Sequence, residues 1–409
     1  MPEHTTSKQQ KTEDQAVTNF REYLRIKTVH PEPDYDGAIV FLQRMAAEIG
    51  LPCKAVEVHP GRVVLIMTWL GEDPSLPTIL LNSHTDVVPV FRDQWKCDPF
   101  EAKKMENGDI YARGTQVSYS LILRYLEAIR RLKRTNKNFK RTVYLSFMPD
   151  EEVGGKNGME KFVQHEEFKK LNVGFGLDEG LANPTDAYTV FYGERAPWWV
   201  RVRCPGRPGH GSRFIEDNCA EKFRKIINSF LDFRAHEEKK LKGNSCLRLG
   251  DVTTVNLTNV EGGIFPQFNV VPTEMYAGFD IRITPSVDMV AFEEKIKGWC
   301  REAGDDVTYE FYQKCQIQET TSTDKSDPWW NTFSTTCENM GMKLETEIFP
   351  AATDIRFLRE YGIPAIGFSP MNNTPILLHD HNEFLNEDVF LKGIDTYCQI
   401  IPALANKIL

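Results

Sequence analysis

The sequence predicts an α/β fold, a mixed-sheet domain with helices on both faces that is interrupted by a smaller α+β unit. Three observations carry this. Apolar runs with strand texture, at residues 78–81, 141–148, 173–177 and 363–368, each run into a polar cluster. Amphipathic helical segments stand between the early ones, the alternation from which layered α/β domains are built. From about Glu194 the texture changes to alternating strands and long helices, and the earlier pattern returns after about residue 315.

The elements follow in order. Residues 1–15 are polar and read as a disordered tail. Helices are expected over 17–26 and 37–49, and a buried strand over 78–81 leads to His84. Residues 118–134 give the clearest amphipathic helix, with Leu121, Ile122, Tyr125, Leu126, Ile129 and Leu132 at helical spacing on one face. Residues 141–148 alternate with period two and end in Pro149-Asp150-Glu151-Glu152. Within the insert, 198–203, 252–257 and 275–283 read as strands, and 217–236 and 291–303 as helices. The expected division is therefore a metal-binding domain over 16–194 and 315–409, with the insert over 195–314.

Composition narrows the function. An apolar share of 41% over 409 residues supports a large core in one or two domains. A net charge of −9 without a basic patch argues against nucleic acid. The run Arg130-Arg131-Leu132-Lys133-Arg134 fits a solvated helix face. Nine scattered cysteines, none spaced as CxxC, suit reduced thiols in the cytoplasm. The first residues lack the apolar core of a secretory signal. No run reaches the roughly 20 apolar residues of a membrane span.

The chemistry sits at strand exits. His84 closes an apolar strand and is followed by Asp86; an imidazole whose tautomer a carboxylate can fix suits a metal. A loop histidine beside a turn aspartate reads the same way. Asp150, Glu151 and Glu152 crowd three acids before two glycines. Neighbouring carboxylates repel, so one can ligate a cation while another takes a proton; a solvated acidic turn remains open. Glu179 follows a third strand, and His379 stands four residues before Glu383 after a fourth. Sites in open α/β sheets gather at such carboxyl ends.

Combined, the motifs resemble one family. They are Ser83-His84-Thr85-Asp86-Val87-Val88-Pro89-Val90, Pro149–Gly155, Arg207-Pro208-Gly209-His210-Gly211-Ser212-Arg213, Pro350-Ala351-Ala352-Thr353-Asp354, Gly367–Asn372 and His379–Glu383. From about Phe20 onwards the chain resembles the aminoacylases of the dinuclear-zinc aminoacylase and carboxypeptidase superfamily. The resemblance implies an N-acyl-L-amino-acid amidohydrolase in which zinc-activated water attacks the acyl carbonyl. It implies His84 and Glu179 as ligands of one zinc, Glu152 and His379 as ligands of another, and Asp86 behind His84. Glu151 would be the general base. His210 would reach from the insert, a lid and dimerisation domain, into the site of the second subunit of a homodimer. Asn269 and Arg282 would hold the substrate's α-carboxylate; for Arg282 an ion pair with Asp280 is the competing reading.

One position departs from the family. A bridging aspartate is expected shortly after Ala112-Arg113-Gly114, and Val117 stands there. Gln116 and Ser118, the nearest polar side chains, would point elsewhere. Each zinc would keep two protein ligands, whereas catalytic sites usually have three. The family's two zinc ions would become one or fewer tightly bound, with weakened turnover. The helix beginning at Ser118 would turn its N-terminus, which favours anions, toward this pocket. A catalytically silent homologue acting as a binding or regulatory dimer is the alternative from another functional class.

Overall fold

The computed structural model describes residues 13–135, 138–263 and 267–408. Residues 1–12 of the expected tail lie outside this range. Asp14 caps the first helix, Gln15–Tyr23, by accepting from the Ala16 N–H. Of the segment 261–268, residues 264–266 lie outside the described residues.

The chain forms two compact units. One holds the described residues up to Val190 together with Asp324–Glu345 and those from Gly367 onward; the other holds Phe191–Thr323 and Thr346–Ile366. The second unit thus takes up a segment near residue 350 that the sequence alone leaves with the larger domain.

The sheet of the first unit is mixed, because both chain directions are present. Cys53–His59 and Arg62–Trp69 form an antiparallel hairpin, and Arg62–Trp69 pairs antiparallel with Val143–Met148. Thr78–His84 runs parallel to Val143–Met148 on one side and to Val173–Asp178 on the other. Every residue of Thr78–His84 is buried, as expected of a central strand covered on both faces. Further strands stand at Tyr188–Glu194, Leu344–Phe349 and Ala365–Phe368, each divided between the two units along the chain.

One helix matters most here. Ser118–Lys133 matches the expected amphipathic helix, but its burial is not confined to one face. Every residue from Ser118 to Ile129 is buried, Arg124 and Glu127 included. It packs against the Thr78–His84 strand and against helices Gln15–Tyr23, Tyr35–Ile49 and Glu387–Ala405. No helix among the described residues is long and apolar enough to cross a membrane.

The second unit builds a four-stranded antiparallel sheet in the order Thr254–Gly262, Glu274–Ile283, Ala196–Pro205, Thr308–Lys314. Period-two patterning turns Trp198, Val200, Val202 and Cys204 inward, under helices Cys219–Gly243 and Met289–Ala303. Phe230 lies flat on Phe279, with ring centroids 3.9 Å apart. Phe230→Ala opens a cavity that this packing cannot close. It should lower the unfolding free energy by about 3–5 kcal/mol, read as a lower urea midpoint at unchanged slope.

Candidate metal centre

Parallel register brings the first two acidic and imidazole clusters together. His84 lies opposite Met148, so the residues after each strand leave the sheet side by side. The first cluster continues to Asp86, the second to the short helical turn Glu151–Val153. Glu179 follows Asp178, the last residue of the next parallel strand.

His84 is 1% exposed. Its Nε2 lies 3.0 Å from Glu179 Oε2 and 3.8 Å from Glu151 Oε2. One ligand atom from each of His84, Glu151 and Glu179 falls within 4.8 Å of the others. The His84–Glu179 contact is close but misaligned. Neither ring nitrogen of His84, nor Glu179 Oε2, makes a hydrogen bond of acceptable geometry. Buried polar atoms of this kind are normally satisfied. Imidazole and carboxylate donors converging in this way fit a divalent cation of the zinc type.

The electrostatics agree. Burial disfavours a charged His84 ring, but the Glu179 and Glu151 carboxylates outweigh it and raise its pKa well above the ordinary value. Behind Glu179, burial and the neighbouring Glu179 charge push the Asp178 carboxyl up to about 7. Asn82 donates to Asp178 at 3.0 Å and is itself held by Ser146 at 2.7 Å.

Asp86 does more than face His84, whose Nδ1 lies 3.5 Å from its Oδ1. Its oxygens accept from the backbone N–H groups of Glu151 and Glu152 at 3.1 and 3.0 Å. His30 Nε2 meets Oδ2 at 2.8 Å. Burial would raise the Asp86 carboxyl, but the bond to His30 and the adjacent His84 ring hold it well below the usual carboxylate range. His30 carried no signal in the sequence, since it stands in an irregular segment. Next to the turn, Asp150 adopts a left-handed conformation, φ 61°. Tyr35 donates to Asp150 Oδ1 at 2.7 Å and Arg62 to Oδ2 at 2.6 Å.

Glu152 and His379 form a second pair, with His379 Nε2 3.0 Å from Glu152 Oε2. Burial opposes charge on His379, but Glu152 prevails and raises its pKa. The His379 loop is fixed by Arg113, which donates to the carbonyls of Asp380 and His379 at 3.2 and 3.4 Å. Arg113 also meets the fully buried Glu383 at 2.9 Å. Glu383 accepts from the backbone of Gly114 and Gln116 and from the Thr115 hydroxyl as well. It therefore clamps the turn that leads into Val117.

Val117 is 5% exposed and precedes the Ser118–Lys133 helix without offering a capping side chain. Its polar neighbours are engaged elsewhere. Gln116 bonds the backbone of Pro375, Leu377 and Phe384. Ser118 Oγ accepts from the His84 N–H at 2.8 Å and donates to the His84 carbonyl.

The remaining candidates belong to the second unit. His210 is exposed, pairs with Val270 across a short ribbon and bonds Ser212 at 2.8 Å. Asn269 is adjacent, its carbonyl accepting from the Gly211 N–H. Arg282 is bound bidentately by Asp280 at 2.7 and 3.0 Å, the competing arrangement for that residue.

The profile described as peptidase family M20/M25/M40 matches residues 80–403, most of the chain and both halves of this centre. The chain belongs to that family. Among its relatives within the family are aminoacylase-1 of Mus musculus, 58% identical over 98% of both chains, and aminoacylase-1 of Homo sapiens, 56% identical over 98% of both. Aminoacylase-1 of Dictyostelium discoideum is 49% identical over 96% of this chain and 98% of that one. Among solved structures, a family M20 metallo-carboxypeptidase from Sulfolobus solfataricus superposes with a TM-score of 0.75 at 19% identity, over 96% of this chain and 100% of that one. That likeness concerns the fold alone.

Because Glu383 balances a buried guanidinium and caps the turn before Val117, Glu383→Leu should cost about 3–5 kcal/mol of stability. Thermal unfolding and limited proteolysis at residues 112–117 would check it; an unchanged melting curve would refute the clamp.

Proposed function

We propose that this M20/M25/M40 family member hydrolyses N-acyl-L-amino acids to a carboxylate and a free L-amino acid. The convergence of His84, Glu151 and Glu179 at the ends of parallel strands carries the reading, and 56–58% identity to aminoacylase-1 proteins supports the substrate class. Peptidase chemistry in the wider family leaves a dipeptidase as the near competitor; whole-length similarity to aminoacylases weighs against it. The same similarity weighs against a silent binding homologue.

His84 and Glu179 would hold one zinc ion, and Glu152 and His379 a second. A bound divalent cation would polarise the acyl carbonyl and make water a stronger acid. The chain's own residues then do the following. Asp86 fixes the Glu151–Glu152 turn, so that the Glu151 carboxylate keeps its place near His84. Glu151 takes a proton from the attacking water and returns it to the leaving amine. His210, supplied by the second subunit of a homodimer, donates to the developing oxyanion. Asn269 and Arg282 bind the α-carboxylate, for which Arg282 must exchange Asp280 for substrate. The second unit acts as lid and dimer surface, and the enzyme works in the cytoplasm.

Val117 limits this machinery. Two cations held close together need negative charge between them, and an isopropyl group provides none. We expect fewer than two zinc ions bound per chain and slow turnover.

Release of methionine from N-acetyl-L-methionine tests the reading. Glu151→Gln should lower kcat by about 10²–10⁴ while the fold survives. Val117→Asp should raise both zinc content and kcat. No hydrolysis by either the native chain or Val117→Asp would sink the amidohydrolase assignment. A native chain carrying two tightly bound zinc ions would sink the role given to Val117.

A further inference from the structure

Arg124 lies on the Ser118–Lys133 helix and is fully buried. Its Nε, Nη1 and Nη2 make no hydrogen bond among the described residues. Other buried arginines are satisfied by the chain: Arg113 by Glu383, Arg141 by the carbonyls of Lys407 and Pro77, Arg359 by Glu194. Arg124 has no carboxylate bearing on it. Burial brings its pKa down to about 10, and the other groups that influence it are Tyr397 and Tyr188, so it stays charged at neutral pH. The Phe390 ring, 5.7 Å from its Cζ, offers a weak face to the cation.

The surroundings are built for this side chain. Gly393 sits inside the Glu387–Ala405 helix, where glycine is unfavourable. A Cβ there would lie 2.4 Å from Arg124 Nε, so the missing side chain is what admits the guanidinium. Beside it, the Tyr125 hydroxyl is also buried, with the Tyr397 hydroxyl as the polar group bearing on it but no bond of good geometry between them, and the Tyr125 ring packs edge-on against Tyr397 at 4.7 Å. Tyr397 spends its own hydroxyl proton on the Phe368 carbonyl. Among the described residues the site therefore has positive charge in excess and no anionic group to balance it. Buried charge of one sign demands a counter-charge.

We propose that Arg124 binds a desolvated halide-sized monoanion, sealed between the Ser118–Lys133 and Glu387–Ala405 helices. A spherical anion needs only donors and charge, which are what Arg124 and Tyr125 present. The role is structural: the anion ties together two helices whose ion pair, Arg131 with Asp395, lies at the exposed surface rather than in the buried layer. It does not depend on the metal centre or on the substrate assigned above.

The test uses the full chain at constant ionic strength, with chloride exchanged for gluconate. Because a ligand of the native state raises stability by mass action, chloride should raise Tm by about 2 °C. Arg124→Met should melt at a temperature independent of chloride, and so should Gly393→Ala, which displaces the guanidinium. Bromide-soaked crystals of the native chain should show an anomalous peak within hydrogen-bond reach of Arg124, which decides the matter even if both variants fail to fold. A native Tm that ignores chloride, an equal chloride effect in Arg124→Met, or water in place of bromide would each overturn the proposal.

Discussion

Asp86 accepts from two successive backbone N–H groups, those of Glu151 and Glu152, while His30 binds the same carboxylate and His84 lies beside it. That one buried group links three segments far apart in sequence. It leaves the Glu151–Glu152 turn little freedom, since moving the turn would strand a carboxylate with 0% exposure. The two successive side chains of that turn then serve different partners, Glu151 beside His84 and Glu152 beside His379. Strand register brings the clusters close; Asp86 fixes their orientation.

What the sequence discloses follows from which forces are local. Strand texture before His84 and Glu179 is local, because burial on both faces leaves an unbroken apolar run. The meeting of His84 with Glu151 depends on the pairing of His84 with Met148, which no window of residues contains. His30 and Glu383 were passed over for the same reason. Neither lies in a periodic segment, yet His30 meets Asp86 across 56 positions and Glu383 meets Arg113 across 270. The Ser118–Lys133 helix was legible in place but not in burial. Its periodic stripe marks one packing face, whereas neighbouring helices cover the polar positions too. The hairpin Cys53–His59 with Arg62–Trp69 and the helix Glu387–Ala405 escaped the sequence reading, which concentrated on segments next to candidate ligands.

Arg282 shows that residue type alone leaves the partner open. A guanidinium suited to a carboxylate ligand takes whatever carboxylate is near, and Asp280, two residues away on the same strand face, is near. The pairing is intramolecular and partly exposed, so its net strength is modest. An incoming carboxylate would compete on similar terms with an acid that is always present. If Arg282 holds the substrate as proposed, the pairing that orients the guanidinium would also weaken that capture.

Val117 ties the candidate centre to the rest of the first unit. The turn before it is clamped by Glu383, and the residue after it bonds both backbone groups of His84. The backbone around Val117 is thus constrained from both sides independently of its side chain. Replacing it by an acid would leave this scaffold in place and change only what fills the position. Beside the carboxylates Glu151, Glu152 and Glu179 stand His84 and His379, whose rings are both held toward the protonated form. A cation entering the centre must displace those protons. Its affinity therefore depends on how strongly the same carboxylates favour metal over imidazolium.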